Sequence, residues 1–300
     1  MPEQQSVITV GTFDGVHLGH REILRRVRAT AAAKSLRPVI VTFRPHPLAV
    51  VNPSAAPMLL TPDDEQLDAL HTDGPLEVVV LDFTPDLARH TADEFVREIL
   101  IERFRVVDLV IGYDHGLGRG RQGDATALQR LGAELGFAVD IVPAALDVSG
   151  APISSSSIRT SIAHGDLERA KAALGRPYAF AGTVVHGEQR GRELGYPTIN
   201  AALSSSRKLL PPDGVYAVRA RTARGVFGGM MNLGGRPTFG DLERTLEVHL
   251  FDVNGDWYGE RVSVDFLRRL RDTIRFDGVD QLIAQLAEDA KNARFALTQA

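Results

Sequence analysis

Two histidines three residues apart, His17 and His20, are the residues whose types and spacing point most clearly to chemistry. They follow a short apolar run, Val7–Val10, and lead into a segment with the hydrophobic spacing of a helix. Backbone N–H groups at a helix N-terminus lack intrahelical partners and face the positive end of the helix dipole, so they attract phosphate. Gly15 and Gly19 would let the backbone approach a ligand closely. The pattern predicts a phosphate-binding strand–helix turn, although surface histidines in a tight turn would also produce it.

Three more polar segments in the first half of the chain could join such a site. Asp114 follows an apolar run and opens a loop rich in glycine and arginine. Ser155 and Ser156 precede a predicted helix, where serine hydroxyls can cap backbone N–H groups, and Arg159 supplies a cation one turn later. Residues 42–47, Thr-Phe-Arg-Pro-His-Pro, close another predicted strand. Taken singly, each has a structural alternative: Asp114 could simply form a turn, and the serines could simply cap a helix.

A glycine-rich segment in the second half has the composition of another phosphate site. Gly187, Gly191 and Gly195 allow backbone amides to wrap around phosphate oxygens. Thr198 and Asn200 follow them and offer the hard oxygen ligands that suit Mg²⁺. A plain hairpin turn at Gly-Tyr-Pro-Thr is the structural alternative.

A carboxylate in an alternating segment is the candidate base. Leu246, Val248 and Leu250 alternate with Glu247 and His249, so the two polar side chains should share the opposite face of a strand. A glutamate on that face could accept a proton, or it could be an ordinary solvated surface residue.

Two kinds of element must position these residues. Nearly continuous apolar strands alternate with helical patterns up to about residue 178, which predicts a doubly wound parallel α/β sheet. The predicted strands are Val7–Val10, Val39–Phe43, Glu77–Asp82, Val106–Gly112 and Ala138–Val142. The predicted helices lie near residues 20–34, 63–70, 91–103 and 124–135. Ligands in such sheets bind beyond the carboxyl ends of the strands, which is where the two histidines and Asp114 fall.

The pattern changes from about residue 180. Short alternating strands without intervening helices, at 215–219, 246–250 and 262–266, predict an antiparallel barrel. The chain ends in a helical stripe for which Asp277 is the expected N-cap. We therefore expect two domains, 1–178 and 179–300.

Composition excludes several classes of function. The net charge of −4 gives no electrostatic footprint for nucleic acid, and no apolar run is long enough to span a bilayer. The chain has no cysteine, so disulfides and thiolate chemistry are excluded, and we expect a cytoplasmic protein without nucleic-acid or membrane partners. No P-loop pattern surrounds any of the four lysines: Lys34, Lys171, Lys208 and Lys291. Phosphate chemistry must then use backbone amides, histidine, arginine and metal.

The motifs of the first half, in this order, resemble those of the bacterial bifunctional riboflavin kinase/FAD synthetases. The His-x-Gly-His element is shared with the wider nucleotidyltransferase superfamily. The resemblance implies FMN + ATP → FAD + pyrophosphate with Mg²⁺. It implies that His17 and His20 bind ATP phosphates and that Ser155, Ser156 and Arg159 grip the outer phosphates. Further nucleotide contacts are implied for four residues: Gly11, Phe13, Asp14 and Asp114.

The second half resembles the riboflavin kinase module of the same family, a small antiparallel barrel with a C-terminal helix. The matching residues are Gly191–Asn200, Pro212–Tyr216, Asn232–Phe239, Glu247-x-His249 and Tyr258-Gly259. The implied reaction is riboflavin + ATP → FMN + ADP, with Glu247 as base, Gly187, Gly191 and Gly195 beside ATP, and Thr198 and Asn200 holding Mg²⁺. Arg271 matches a family arginine near the flavin. The implied partners are ATP, riboflavin and FMN, with flavoproteins as possible clients.

Five positions depart from the family pattern: His115, Leu117, Ser156, Ile199 and Thr273. They leave phosphate handling intact and concern mainly how the flavin or adenine is held. Two alternatives stay open at this point. One module could have lost its activity, or the chain could bind nucleotide and flavin without turnover. Cytidylyl and pantetheine-phosphate adenylyl enzymes share the His-x-Gly-His element but would leave the C-terminal barrel unexplained.

Overall fold

The structure is a computed structural model that describes residues 4–187, 191, 194–235 and 244–299, with Asp63 described by its backbone alone. The chain forms two compact units. The first comprises Met1–Leu59 and Gln66–Ser155, and the second comprises Leu60–Glu65 and Ser156–Ala300. The expected functional boundary at residue 178 stays a prediction.

The first unit is built on a five-stranded parallel sheet in the order β3-β2-β1-β4-β5. Its strands are β1 (Ser6–Val10), β2 (Arg37–Arg44), β3 (Glu77–Asp82), β4 (Val106–Gly112) and β5 (Ala138–Val142). The central strand β1 is buried along its whole length, because helices cover both faces of the sheet.

The helices of the first unit are α1 (Leu18–Lys34), α2 (Pro47–Val51), α3 (Asp63–His71), α4 (Ala92–Glu94) and α5 (Ala125–Leu135). A π-helix, Phe95–Arg103, continues α4, and single 3₁₀ turns occupy Pro53–Ala55, Leu87–Arg89 and Arg119–Arg121. Successive residues of β1 point into different cores: Val7 packs with α1, and Ile8 packs with the π-helix and α5. This alternation confirms the predicted doubly wound sheet.

The second unit contains a closed antiparallel barrel in the order β10-β7-β6-β11-β8-β9. Its strands are β6 (Tyr178–Val185), β7 (Ile199–Leu203), β8 (Gly214–Thr222), β9 (Gly225–Gly235), β10 (Arg244–Leu250) and β11 (Arg261–Arg271). The helices α6 (Ser155–Ala163) and α7 (Leu167–Leu174) precede the barrel, and α8 (Val279–Thr298) follows it. Three buried rings, Phe180, Tyr216 and Phe266, fill the interior with centroids 5.2 and 5.7 Å apart. The predicted barrel with a terminal helix is confirmed.

A buried ion pair ties the segment Leu60–Glu65 to the barrel. The Lys208 ammonium donates to the Glu65 carboxylate, to the Leu60 carbonyl at 2.6 Å and to the Ala179 carbonyl. Glu65 also accepts the Ala181 N–H at 2.8 Å. Burial raises the pKa of Glu65, while Lys208 opposes that rise. Lys208 is thus occupied in stabilising the fold.

The predicted N-cap of the terminal helix is wrong. Helix α8 begins at Val279 with Gly278 as its N-cap, and Gly278 makes no side-chain capping bond. The Asp277 N–H is directed to the Gln281 side chain instead. Gly278 has no side chain that could mark it as a cap, so the sequence pattern placed the helix start one residue too early.

Candidate active sites

The first candidate site is the loop that joins β1 to α1. It emerges from the central strand at the carboxyl edge of the parallel sheet, where the Gly11 N–H bonds to the Val41 carbonyl at 3.0 Å. Phe13, Gly15 and Val16 all have left-handed backbones, with φ of 46°, 86° and 40°. Two non-glycine residues in this conformation are costly, which indicates a loop shaped for a purpose other than a simple connection.

His17 and His20 are in contact at the start of α1. His17 is the N-cap, and its Nδ1 accepts the His20 N–H at 3.4 Å. The two imidazole rings stack with centroids 3.7 Å apart, and the Phe13 ring meets His20 edge-on at 5.2 Å. A side chain at Gly19 would lie 3.1 Å from the His17 ring, so glycine leaves the space in which that ring sits. The sequence therefore places both imidazoles beside the positive end of a helix.

His20 is held in its neutral form. Burial lowers the pKa of His20 well below its usual value of 6.5, and the neighbouring His17 lowers the pKa further. The His20 Nδ1 is shielded from solvent and has no hydrogen-bond partner among the described residues. A neutral imidazole keeps one N–H, which can donate to an anionic oxygen.

The serine run approaches this loop from far along the chain. The Ser155 hydroxyl donates to the Asp14 carbonyl at 2.8 Å, and Asp14 is buried. Ser156 and Arg159 follow on α6, where Arg159 lies one turn after Ser155 and so on the same helix face. The structure brings Ser155 to the loop. The phosphate contacts expected of Ser156 and Arg159 stay predictions.

Asp114 and its loop lie at the end of β4. The Asp114 side chain is exposed, and its carboxylate lies over Gly112, where an added Cβ would be 3.5 Å from Oδ1. Burial, with help from Arg121, lowers the pKa of His115 to about 4. Leu117 is 4% exposed and belongs to the hydrophobic core of the sheet. The residue that departs from the family pattern at position 117 therefore packs in the core of the sheet.

The second candidate site lies on the outer face of the barrel. Glu247 of β10 pairs directly with Asn200 of β7 on one side and with Asn232 of β9 on the other. Residues paired in this way project from the same face of a sheet. Their neighbours Ile199 and Val248 are buried in the barrel interior, so the three polar residues face outward, as the alternation predicts.

The glycine-rich segment packs against this polar row. A Cβ at Gly187 would lie 2.0 Å from the Asn200 amide nitrogen, and one at Gly191 would lie 2.3 Å from the Tyr196 carbonyl and 3.6 Å from the Thr198 methyl. Gly195 has a φ of 80° with open space around it, so there glycine serves the turn. The backbone thus lies close to both Thr198 and Asn200.

His249 holds this segment in place, a role that sequence reasoning did not assign to it. Its Nδ1 lies 2.8 Å from the Pro197 carbonyl, so that nitrogen must carry the proton. The ring also contacts Tyr196 and Phe251 edge-on, with centroids 5.3 and 5.6 Å away. Its position two residues after Glu247 on the same strand face was the signal that could have revealed it.

Arg271 is engaged in a buried ion pair. Its guanidinium makes a two-pronged contact with Asp289 of α8 at 2.7 and 2.9 Å, and Asp289 is 2% exposed. Gln285 donates to the same carboxylate at 2.9 Å. The expected flavin contact of Arg271 stays a prediction. Thr273 lies beside β9, where a Cβ at Gly234 would be 3.6 Å from its methyl group.

Parts of the expected motifs lie outside the described residues. They are Arg192, Glu193, Arg236, Pro237, Thr238 and Phe239. In the part of the chain that the structure describes, no cluster of three histidine, aspartate or glutamate side chains could hold a metal ion. The hydroxyl of Thr198 and the amide oxygen of Asn200 do fit Mg²⁺, because this ion keeps several waters and is shared with substrate phosphates.

Comparisons with known proteins agree with this architecture. The FAD synthetase family model matches residues 1–157, and the riboflavin kinase family model matches residues 174–297. The bifunctional riboflavin kinase/FMN adenylyltransferase of Escherichia coli K12 is 37% identical over 99% of this chain and 95% of its own length. The protein of the same description from Bacillus subtilis 168 is 33% identical over 97% of this chain and 92% of its own.

A solved structure shares the whole fold. A Streptococcus pneumoniae protein described as a macrolide-efflux protein superposes with a TM-score of 0.88 at 36% identity, covering 98% of this chain and 95% of that one. Among the described residues of the present chain, none of the helices combines the length and apolarity needed to cross a membrane. Both family models and the full-length relatives lead to one conclusion: this chain belongs to the family of bifunctional riboflavin kinase/FMN adenylyltransferases.

Proposed function

We propose that the chain makes FMN from riboflavin at the barrel and FAD from FMN at the α/β unit, each step using ATP. We assign residues 1–178 to the FMN adenylyltransferase domain and 179–300 to the riboflavin kinase domain. The observation that supports this assignment is that each half brings together two of its own predicted residues. His17 stacks on His20 in one half, and Glu247 pairs with Asn200 in the other.

At the α/β unit the reaction is adenylyl transfer. A phosphate oxygen of FMN forms a bond to the α-phosphorus of ATP, and the bond from that phosphorus to pyrophosphate breaks. Charge develops on the leaving pyrophosphate, where His17, the N–H of His20 and the positive end of α1 would stabilise it. No covalent enzyme intermediate is needed, because positioning and charge stabilisation suffice.

The surrounding residues would bind and orient the nucleotide. Gly11, Phe13 and Asp14 supply the loop backbone against which ATP lies. Ser155, Ser156 and Arg159 would grip the outer phosphates, and Asp114 would contact the substrate at the neighbouring strand end. The Ser155–Asp14 bond supports this arrangement, since it joins two of these segments across 141 residues.

At the barrel the reaction is phosphoryl transfer to a hydroxyl. Glu247 accepts the proton of the terminal ribityl hydroxyl as that oxygen bonds to the γ-phosphorus of ATP and ADP leaves. The backbone around Gly187, Gly191 and Gly195 would bind the ATP phosphates, and Arg271 would lie near the flavin. Thr198 and Asn200 would hold Mg²⁺, whose chemistry is to neutralise charge on the phosphates. The contact between Gly187 and Asn200 supports this placement.

Isotopic labelling of ATP separates the two reactions. With riboflavin, Mg²⁺ and ATP labelled at the γ-phosphorus, label should enter FMN and then FAD. With label at the α-phosphorus, it should enter FAD alone. Label in FMN only would leave the adenylyl half without its activity, and binding of both ligands without any transfer would contradict the proposal. Because both reactions consume ATP, we place the protein in the cytoplasm, with flavoproteins as possible recipients of its product.

A further inference from the structure

A buried glutamine outside every predicted motif contacts the loop before α1. Gln66 lies on α3 and is 8% exposed, and its side-chain amide donates to the Thr12 carbonyl. The fully buried Thr42 hydroxyl approaches the same oxygen at 3.5 Å. Thr12 is the residue before Phe13, where the loop enters its left-handed conformation. The Thr12 carbonyl is therefore anchored from the protein interior.

Anchoring this carbonyl fixes the direction of the next N–H. The peptide group is planar and trans, so the Phe13 N–H points away from the Thr12 carbonyl and away from Gln66. Phe13 is 3% exposed, and its N–H donates to no acceptor among the described residues. An N–H group without an acceptor in the protein is available to a ligand oxygen.

The same device recurs two residues later. The Ser155 hydroxyl holds the Asp14 carbonyl at 2.8 Å, which orients the peptide between Asp14 and Gly15 in the same way. Side chains thus hold two peptide groups of the loop, each by a hydrogen bond to its carbonyl oxygen. A role in filling space alone would not require the Gln66 amide to donate to the Thr12 carbonyl.

We propose that Gln66 is a positioning residue for adenylyl transfer, which holds the Thr12–Phe13 peptide so that the Phe13 N–H faces the phosphates of ATP. This inference rests on the proposed function, which places ATP at the loop. Without the amide donor, Thr42 alone would hold the carbonyl at its longer distance, and the peptide could rotate. The Phe13 N–H would then no longer be preorganised, and it would have to reorient before it could stabilise the transition state.

The test compares both activities in variants of the full chain. Gln66→Met keeps the length of the side chain and removes the donor. We expect kcat for FAD formation to fall about tenfold to a hundredfold, with little change in KM for FMN. Riboflavin phosphorylation should stay at the wild-type rate in the same preparation. Gln129→Met, an exposed glutamine exchange on α5, is the matched control and should change neither activity.

The variant Gln66→Glu adds a second measurement, the pH dependence of kcat, which should not change if Gln66 has only a structural role. An ionised carboxylate repels the Thr12 carbonyl, whereas a protonated one can donate to it. The kcat of this variant relative to wild type should therefore rise as the pH is lowered. Wild-type kcat in both variants would overturn the inference, as would parallel loss of both activities with a lowered Tm. A wild-type protein that forms no FAD would instead contradict the proposed function.

Discussion

The imidazole rings of His17 and His20 stack 3.7 Å apart with only 18° between their planes. Two positively charged rings at this distance would repel each other strongly, so near neutral pH the pair holds at most one proton. Desolvation of the His20 imidazole and the neighbouring His17 both lower the pKa of His20, so His20 is the neutral member. His20 therefore presents a neutral N–H donor beside the N-terminus of α1.

Removing His17 should raise the pKa of His20. The His17→Asn variant abolishes the repulsion between the rings and admits water beside His20, and both effects favour the protonated form. NMR titration of the histidine ring protons measures this pKa directly. A pKa of His20 that stays the same or falls in the variant would contradict the stacked arrangement.

Acid should weaken the fold partly through His115. Unfolded His115 binds a proton below its usual pKa of 6.5, whereas the folded residue stays neutral down to about pH 4. The contribution of His115 to the unfolding free energy should therefore be constant above pH 6.5. It should fall as the pH is lowered from 6.5 to 4, and change no further below pH 4. Urea titrations of His115→Gln should show a shallower fall in that window, and parallel curves for the two proteins would disprove the assignment.

His249 should matter to the kinase reaction alone. His249→Ala removes the bond to the Pro197 carbonyl and frees the segment that carries Thr198, so kcat for FMN formation should fall roughly tenfold or more. His249→Asn, whose amide nitrogen occupies nearly the position of Nδ1, should recover much of the loss. Adenylyl transfer from supplied FMN serves as the internal control. Equal rates for the alanine and asparagine variants would mean that this hydrogen bond has no role.

Arg271 should serve both stability and flavin binding. Arg271→Met leaves the buried Asp289 carboxylate without its cation, which should lower the unfolding free energy by about 3–5 kcal/mol. The double variant Arg271→Met/Asp289→Leu should regain most of that stability, because an apolar pair can replace a buried ion pair. If Arg271 contacts the flavin, KM for riboflavin should stay raised in the double variant. If KM for riboflavin instead returned to the wild-type value, Arg271 would contribute to stability alone.

Regular spacing made the framework predictable. The strands Glu77–Asp82, Val106–Gly112 and Ala138–Val142 have the bounds expected from their apolar runs. Strand β9 (Gly225–Gly235) was not predicted. Its five glycines lower strand propensity and hide the alternation of apolar and polar residues. Its backbone pairing with β8 and β10 holds it in the strand conformation that its own sequence does not predict.

The residues that the sequence did not indicate are those held by contacts between distant parts of the chain. The histidine pair was predictable because both members lie within one turn of helix. Gln66 lies 54 residues from the carbonyl it holds, and Lys208 lies 143 residues from Glu65. Neither residue belongs to a motif, so only the packed fold shows their partners.

The separation of the two reactions between the two halves of the chain is the central claim about this protein. The most direct measurement follows FMN and FAD over time in the variants His20→Asn and Glu247→Gln, each supplied with ATP and Mg²⁺. We predict that His20→Asn forms FMN from riboflavin at the wild-type rate while FAD formation falls on the order of 10²–10³-fold. Glu247→Gln should form FAD from supplied FMN normally but almost no FMN from riboflavin. Loss of both activities together in either variant, with the fold intact, would contradict two independent sites.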